Sequence, residues 1–263
     1  MSAELHAVLF DMDGTVVDTE GLWRQACAAV AAELGLEAAE VDAGHVHGRP
    51  AEHTATHLVH LVRRSRDAPA EIPPIPGGPA TSPRGEPARP KEALTHSIGG
   101  EPVAPGETSV ARVSARLTEE FARRIAGGVI PLPGAIRLLD DLGAAGVPTA
   151  LVTASSRRIV DLVLRTVGVA RFRLVVAAED TVRGKPSPDP YLRATAELGV
   201  DPARCVAVED SPVGLAAALA AGCRAVSVSG DPAVPYGVLS VNSLEKIDVE
   251  LLRLLAADKI SIG

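Results

Sequence analysis

Leu9-Phe10-Asp11-Met12-Asp13-Gly14-Thr15-Val16-Val17-Asp18 decides how the rest of the chain is read. The run that enters it, Ala7-Val8-Leu9-Phe10, has the length and apolar character of a short buried strand. It stops at a carboxylate, with a second one two residues on. Two acids at the tip of an apolar strand are costly to assemble unless a cation or hydrogen-bond donors answer them. A strand that merely had to end could use any turn residues. This one ends in an acid able to act as a nucleophile, a second acid within reach of the same ligand, and a Gly14-Thr15 turn expected to offer free backbone N–H groups. A turn-capping role for Asp11 and Asp13 is the plainer alternative.

Working outward, residues 135–256 alternate amphipathic and short apolar segments. Helices are expected at 135–145, 157–167, 190–198, 213–221 and 244–256, and strands at 148–152, 174–177, 205–208 and 225–228. That alternation predicts an α/β fold, a parallel sheet with helices on both faces. Ligands of such sheets sit at the carboxyl ends of the strands, so those ends carry the candidate site. The strand ending at Val152 is followed by Thr153, with Ser155 or Ser156 expected to cap the next helix. After the strand at 174–177 comes Gly184-Lys185-Pro186-Ser187-Pro188-Asp189. Its prolines hold Lys185 out of a helix, and Asp189 is expected to cap the helix beyond. The strand at 205–208 runs into Glu209-Asp210-Ser211-Pro212. Ser211 with Pro212 is a helix start, which leaves the two acids unexplained.

Asp11-x-Asp13-Gly14-Thr15, Thr153, Lys185 and Asp210, in that order, resemble the four motifs of the haloacid dehalogenase superfamily. The likeness runs over about 5–61 and 110–230. It implies a Rossmann-like α/β core and a magnesium-dependent phosphatase. Asp11 would be the nucleophile that becomes an aspartyl phosphate, and Asp13 the general acid and base. Thr153 and Lys185 would bind the phosphoryl group. Mg2+ would lie on Asp11, the Asp13 backbone carbonyl and Asp210, with Glu209 in the outer shell or orienting the site. Asp13 argues against the halide-releasing branch, which lacks this acid.

Between the first strand and residue 131 lies a helical insert. Helices are expected at 20–34, capped by Asp18 or Thr19, at 51–62 and at 110–125. Residues 63–108 are crowded with proline and read as a disordered or extended segment. The glycines and prolines of 127–134, with 16–19, read as a double hinge. The expected organisation is a core of 1–17 and 131–263 and a helical cap of 18–130. The cap resembles that of the β-phosphoglucomutase subfamily. Arg49 falls where that subfamily contacts substrate, and Trp23 stands where its mutases carry a histidine, which favours hydrolysis over mutation. A phosphomutase and a non-catalytic binding protein are the alternatives. His45, His47, His53, His57 and His60 read as a polar face rather than a metal site.

The 263 residues carry a net charge of −7 and a pI near 5.5, so no basic field for nucleic acid or anionic membrane is expected. An acidic protein that handles phosphate needs a local cation, which favours a bound metal. The expected partner is a small phosphorylated metabolite. Cys27, Cys205 and Cys223 sit among apolar residues and read as core thiols of a cytoplasmic protein, without disulfides. Strand pattern begins by His6, so no signal peptide is expected, and no apolar run is long enough to span a bilayer.

Overall fold

The structure, a computed structural model, describes residues 5–37, 46, 50–67, 109–230 and 234–258. Of the stretch 63–108 expected to be disordered or extended, residues 63–67 instead continue a helix, since the first proline comes only at Pro69, and 68–108 lie outside the described residues, as do Arg49, His45 and His47. Among the described residues a six-stranded parallel sheet has the order β5-β4-β1-β6-β7-β8. The strands are β1 (Ala7–Phe10), β4 (Thr149–Val152), β5 (Leu174–Val176), β6 (Cys205–Glu209), β7 (Arg224–Ser227) and β8 (Leu239–Ser240). The chain runs outward from β1 in both directions, which places a crevice at the carboxyl end of the central strand.

Side chains alternate across β1, so each face meets a different layer. Val8 and Phe10 join the core beneath α4 (Ala135–Ala144), α5 (Arg157–Val167) and α8 (Val249–Ala256). Ala7 and Leu9 join the smaller core beneath α6 (Asp189–Leu198) and α7 (Pro212–Ala220). Both faces are covered, which is why these strands read as unbroken apolar runs. The single long helix expected at 244–256 is instead a 3-10 turn, Leu244–Lys246, followed by α8. Asp248 breaks it, because its carboxylate accepts from Leu251 N at 2.8 Å and caps α8.

The insert is a three-helix unit of α1 (Glu20–Glu33), α2 (Ala51–Asp67) and α3 (Val110–Ile125), with a core of its own around Val30, Leu58, Val113 and Leu117. The carboxyl end of α3 leaves that core. Phe121 and Ile125 join the core that contains Ile159 and Val163 of α5. The two connections are not loose linkers. β2 (Val17–Asp18) and β3 (Ile130–Pro131) pair as an antiparallel ribbon, with a further bond from Leu132 N to Val16 O of 2.9 Å. Gly134 follows at φ +85°, and a β-carbon there would lie 2.5 Å from Glu245 N, so only glycine permits this approach.

The three cysteines are buried and unpaired, and burial pushes each thiol up to about 12, so they remain thiols. No helix among the described residues is long and apolar enough to cross a membrane.

Candidate active site

The carboxyl ends of β1, β4 and β6 lie side by side and open into a cavity of about 320 Å³ between the sheet and the three-helix unit. Asp11 follows β1, anchored by its N–H on Val208 O (3.0 Å). Thr153 follows β4, and Asp210 follows β6. Lys185 arrives from the loop after β5, through a cis Lys185–Pro186 peptide. Its Nζ donates to Asp11 Oδ1 (2.6 Å), Glu209 Oε1 (2.6 Å) and the carbonyl of Val152 (2.8 Å). The last of these ties the ammonium to the end of β4 independently of the carboxylates.

This is a crowded, buried set of charges. Asp11, Glu209 and Lys185 are all buried. Burial pushes the Asp11 carboxyl well up; the Lys185 ammonium opposes this, and the carboxylates of Glu209, Asp210 and Asp13 add to the push. Burial works against the Lys185 charge, but Asp11 and Glu209 outweigh it and hold the ammonium well above its usual range. Lysine is therefore charged throughout the physiological range.

Glu209 is the residue whose role the fold defines most sharply. Its Oε1 also accepts from the Tyr191 hydroxyl (2.6 Å), and its Oε2 accepts from Ser211 Oγ (3.2 Å). A carboxylate so occupied holds Lys185 in place. Tyr191 is fully buried in α6 and lies beneath the Lys185 ammonium, 5.2 Å from ring centre to Nζ. Sequence reading did not single it out. One of only two tyrosines, two residues past Asp189, was the available signal.

Three capping expectations change. Thr19 occupies the N-cap position of α1, yet its hydroxyl donates to Asp13 Oδ1 at 2.7 Å. Ser155 donates to Asp13 Oδ2 at 2.7 Å rather than capping α5, and Thr153 lies 3.4 Å from the same oxygen. Ser156 stands at the N-cap of α5 without a side-chain cap bond, and the Glu179 carboxylate accepts from Arg157 N instead (2.9 Å). Asp189 does not cap α6; it is the first helical residue and pairs with Arg183 at 2.8 Å. For Thr19, Ser155 and Asp189 a charged partner outside the helix outcompetes the cap bond. Ser211 does cap α7, accepting from Gly214 N at 3.0 Å.

Asp13 thus faces the cavity held by hydroxyl donors. Burial raises its carboxyl, and the bonds from Thr19 and Ser155 offset that only in part. An acid in that condition keeps a proton to a higher pH than an exposed aspartate. The turn's N–H groups are less available than expected: Gly14 N donates to Val17 O (2.9 Å) and Thr15 N to Met12 O (3.4 Å).

A cation fits this site. One oxygen each of Asp11, Glu209 and Asp210 lie within 4.8 Å of one another, an all-oxygen set of the kind hard divalent ions take. One ammonium does not neutralise three carboxylates. Gly14, at φ +80°, leaves the room: a β-carbon there would lie 2.1 Å from Asp210 Oδ2.

Trp23 lines the cavity. Its indole N–H donates to Val46 O (2.9 Å), and its ring meets Phe121 edge-on, centroids 5.1 Å apart. Arg49 lies outside the described residues. His53, His57 and His60 belong to no metal-ligating group among the described residues.

The packing behind the site makes a test of its own. A β-carbon at Gly214 would lie 1.9 Å from Glu209 Oε1. Gly214→Ala is expected to destabilise the protein by about 1–3 kcal/mol, read by urea unfolding, because the displaced carboxylate drags Lys185 with it. Parental stability would mean that Glu209 is free to relocate.

A model of the haloacid dehalogenase-like hydrolases matches residues 5–222. The chain is 32% identical over 244 residues to hexitol phosphatase A of Escherichia coli K12, covering 92% of each protein. Two solved structures share the fold. CbbY from Rhodobacter sphaeroides in complex with xylulose-(1,5)bisphosphate has a TM-score of 0.65 at 24% identity, over 94% of this chain and 99% of that one. A family IA hydrolase from Entamoeba histolytica has a TM-score of 0.71 at 19% identity, over 95% and 99%.

Proposed function

The chain belongs to the haloacid dehalogenase-like hydrolases, and we propose that it is a magnesium-dependent phosphatase of a small phosphomonoester, of the sugar-phosphate type that its likeness to hexitol phosphatase A suggests. The observation that carries this is the convergence of Asp11, Asp13, Lys185 and Asp210 on one cavity from four separate segments. Residues 1–17 and 131–263 act as the catalytic core. The helices of 18–130 act as a cap that closes over the substrate about the β2–β3 ribbon.

Asp11 attacks phosphorus in line. The Asp11 O–P bond forms as the bond to the ester oxygen breaks, and Asp13 passes its proton to that oxygen. Asp13, now a carboxylate, takes a proton from water as the water attacks the aspartyl phosphate, releasing phosphate and restoring Asp11. Lys185 and Thr153 hold the phosphoryl oxygens. Glu209 and Tyr191 keep Lys185 aimed. Thr19 and Ser155 fix the orientation of Asp13. The Asp11 and Asp210 carboxylates and the Asp13 carbonyl would hold Mg2+, which supplies neutralising charge for the phosphoryl group. A mutase reading is disfavoured by Trp23, whose indole N–H is already committed to Val46 O and which has no proton to shuttle.

Dialysis against a chelator is expected to lower phosphate release from para-nitrophenyl phosphate by more than about 100-fold, with activity returning on adding Mg2+. The metal's effect on stability should also depend on pH. Burial raises Asp11 and Asp13 above their unfolded value, so the metal-free folded protein binds protons that the unfolded chain has released above about pH 4. Mg2+ must displace those protons. The melting-temperature rise on adding Mg2+ should therefore be larger at about pH 7.5 than at about pH 5.5. Activity unchanged by chelation would sink the metal assignment.

A further inference from the structure

A second recess, of about 860 Å³, lies between α3 and α5 and shares no lining residue with the catalytic cavity. Both helices serve both spaces. α3 turns Ser114, Thr118 and Phe121 to the cavity, and Arg116, Glu119 and Arg123 to the recess. α5 gives Ile159 to the first, and Arg158, Asp161 and Arg165 to the second. A ligand in the recess would lie one helix away from the reacting groups. It would touch the three-helix unit through α3 and the sheet's own layer through α5.

The charges of the recess are out of balance. Four guanidiniums line it against two carboxylates, in a chain of net charge −7. On α3 the arginines are answered: Arg116 forks onto Glu33 (2.6 and 2.9 Å) and reaches Glu119 (3.3 Å), and Arg123 pairs with the buried Glu120. On α5 they are not. Arg158 and Arg165 are exposed, and among the described residues their side chains make no ion pair or hydrogen bond, not even with Asp161 between them. Like charges lining a concave surface focus the field there and draw counter-charge. Guanidiniums take phosphate or sulfate oxygens two at a time. Seven residues separate the two arginines on each helix, a rise of about 10 Å. One phosphate does not span that distance; several on one small molecule do. The volume is that of a small-ligand site.

We propose that this recess binds a small polyanion carrying several phosphate groups, and that its occupation slows turnover by holding the helical cap against the core. Phe121 and Ile125 of α3 already share a core with Ile159 and Val163 of α5, so the ligand reinforces a contact that cap opening must break. The effect on turnover rests on the phosphatase reading above; the binding does not.

The test uses the full-length protein with Mg2+ and inositol hexasulfate, whose sulfate esters are not phosphatase substrates, with inorganic sulfate at matched ionic strength as the control. Calorimetry should show the hexasulfate bound at least about 10-fold more tightly than sulfate, and less tightly as NaCl is raised. Arg158→Gln/Arg165→Gln should weaken that binding by about 5-fold or more, and Asp161→Asn should tighten it by about 2-fold. All three positions are exposed, and without the probe both variants should release phosphate from para-nitrophenyl phosphate at the parental rate. With the probe, kcat of the parent should fall by about 3-fold or more. Inhibition seen only as a raised KM would place the probe in the catalytic cavity and overturn the proposal. So would binding that neither variant alters, or sulfate bound as tightly as the hexasulfate. Binding that follows the variants with kcat unchanged overturns the effect on turnover and upholds the site. A protein that binds the probe and does not hydrolyse para-nitrophenyl phosphate upholds the site and overturns the phosphatase reading.

Discussion

Asp11→Asn is expected to lower phosphate release by at least about 10⁴-fold while leaving the protein as stable as before, or more so. The activity loss would follow from removing the proposed nucleophile. The stability expectation follows from the surroundings. Burial and three neighbouring carboxylates already disfavour a charged Asp11, so an amide of the same shape relieves repulsion while still accepting from Lys185. The two measurements separate causes. Lost activity with an unchanged melting curve and no acid-stable phosphoprotein on quenching is the signature of a missing nucleophile. Lost activity with a collapsed melting temperature would say that Asp11 holds the fold instead. An asparagine variant working at near-parental rate would end the mechanism.

The second large effect is expected at the partner. Lys185→Met keeps most of the buried stem but removes the charge that Asp11 and Glu209 share. Breaking a buried pair from one side costs about 3–5 kcal/mol, because the remaining charges stay buried without an answer. Turnover should fall by about 10²–10³-fold or more as the phosphoryl oxygens lose their donor. The pH dependence carries a definite sign. In the parent, Lys185 is held above its unfolded value, so its stabilising contribution is complete below about pH 10 and is lost only as pH rises beyond that. In the variant the stranded carboxylates prefer to be protonated, so the folded state binds more protons than the unfolded chain and gains stability as pH falls. The deficit in urea unfolding free energy should therefore be smaller at about pH 5.5 than at about pH 7.5. A deficit that is equal at both, or larger in acid, would mean that Lys185 is not balancing buried carboxylates.

The two substitutions are thus expected to differ on stability, Lys185→Met alone lowering it, while both strongly reduce turnover. That contrast follows from the arithmetic of the site: several negative groups, one positive one, and a cavity fit for a divalent ion. Removing a negative charge eases the cluster. Removing the positive one strands it.

Much of this is legible in the amino-acid order alone. Asp11 stands directly after an apolar run and Asp210 one residue beyond another, after Glu209, and the strand of parallel-sheet type that such a run predicts carries its end to the ligand face. Lys185 was readable because prolines on its carboxyl side forbid the helix that would have turned it to solvent. These are local properties, set by neighbours in the chain. The misassigned caps fail for the complementary reason. Thr19, Ser155 and Asp189 are placed to cap by sequence, and each takes a competing charged partner outside its helix: Asp13, six residues back for Thr19 and far away in the chain for Ser155, and Arg183, six residues back for Asp189. A cap bond and a bond to a buried carboxylate are both open to a hydroxyl. The charged, desolvated acceptor makes the stronger one.

Strand and helix alternation, the order of the chemistry-bearing residues and the overall acidity were properties of the amino-acid order, since each depends on spacing along a single segment and on composition. Tertiary structure was needed to learn that Glu209 serves Lys185, that Tyr191 backs them both, and that the two connections to the helical unit pair as a ribbon. Each of those is a contact between different elements of the fold, which spacing along one segment does not specify. Burial then changes its energetic meaning, because a carboxylate that would be unremarkable in water becomes decisive once only a few fixed donors remain to answer it.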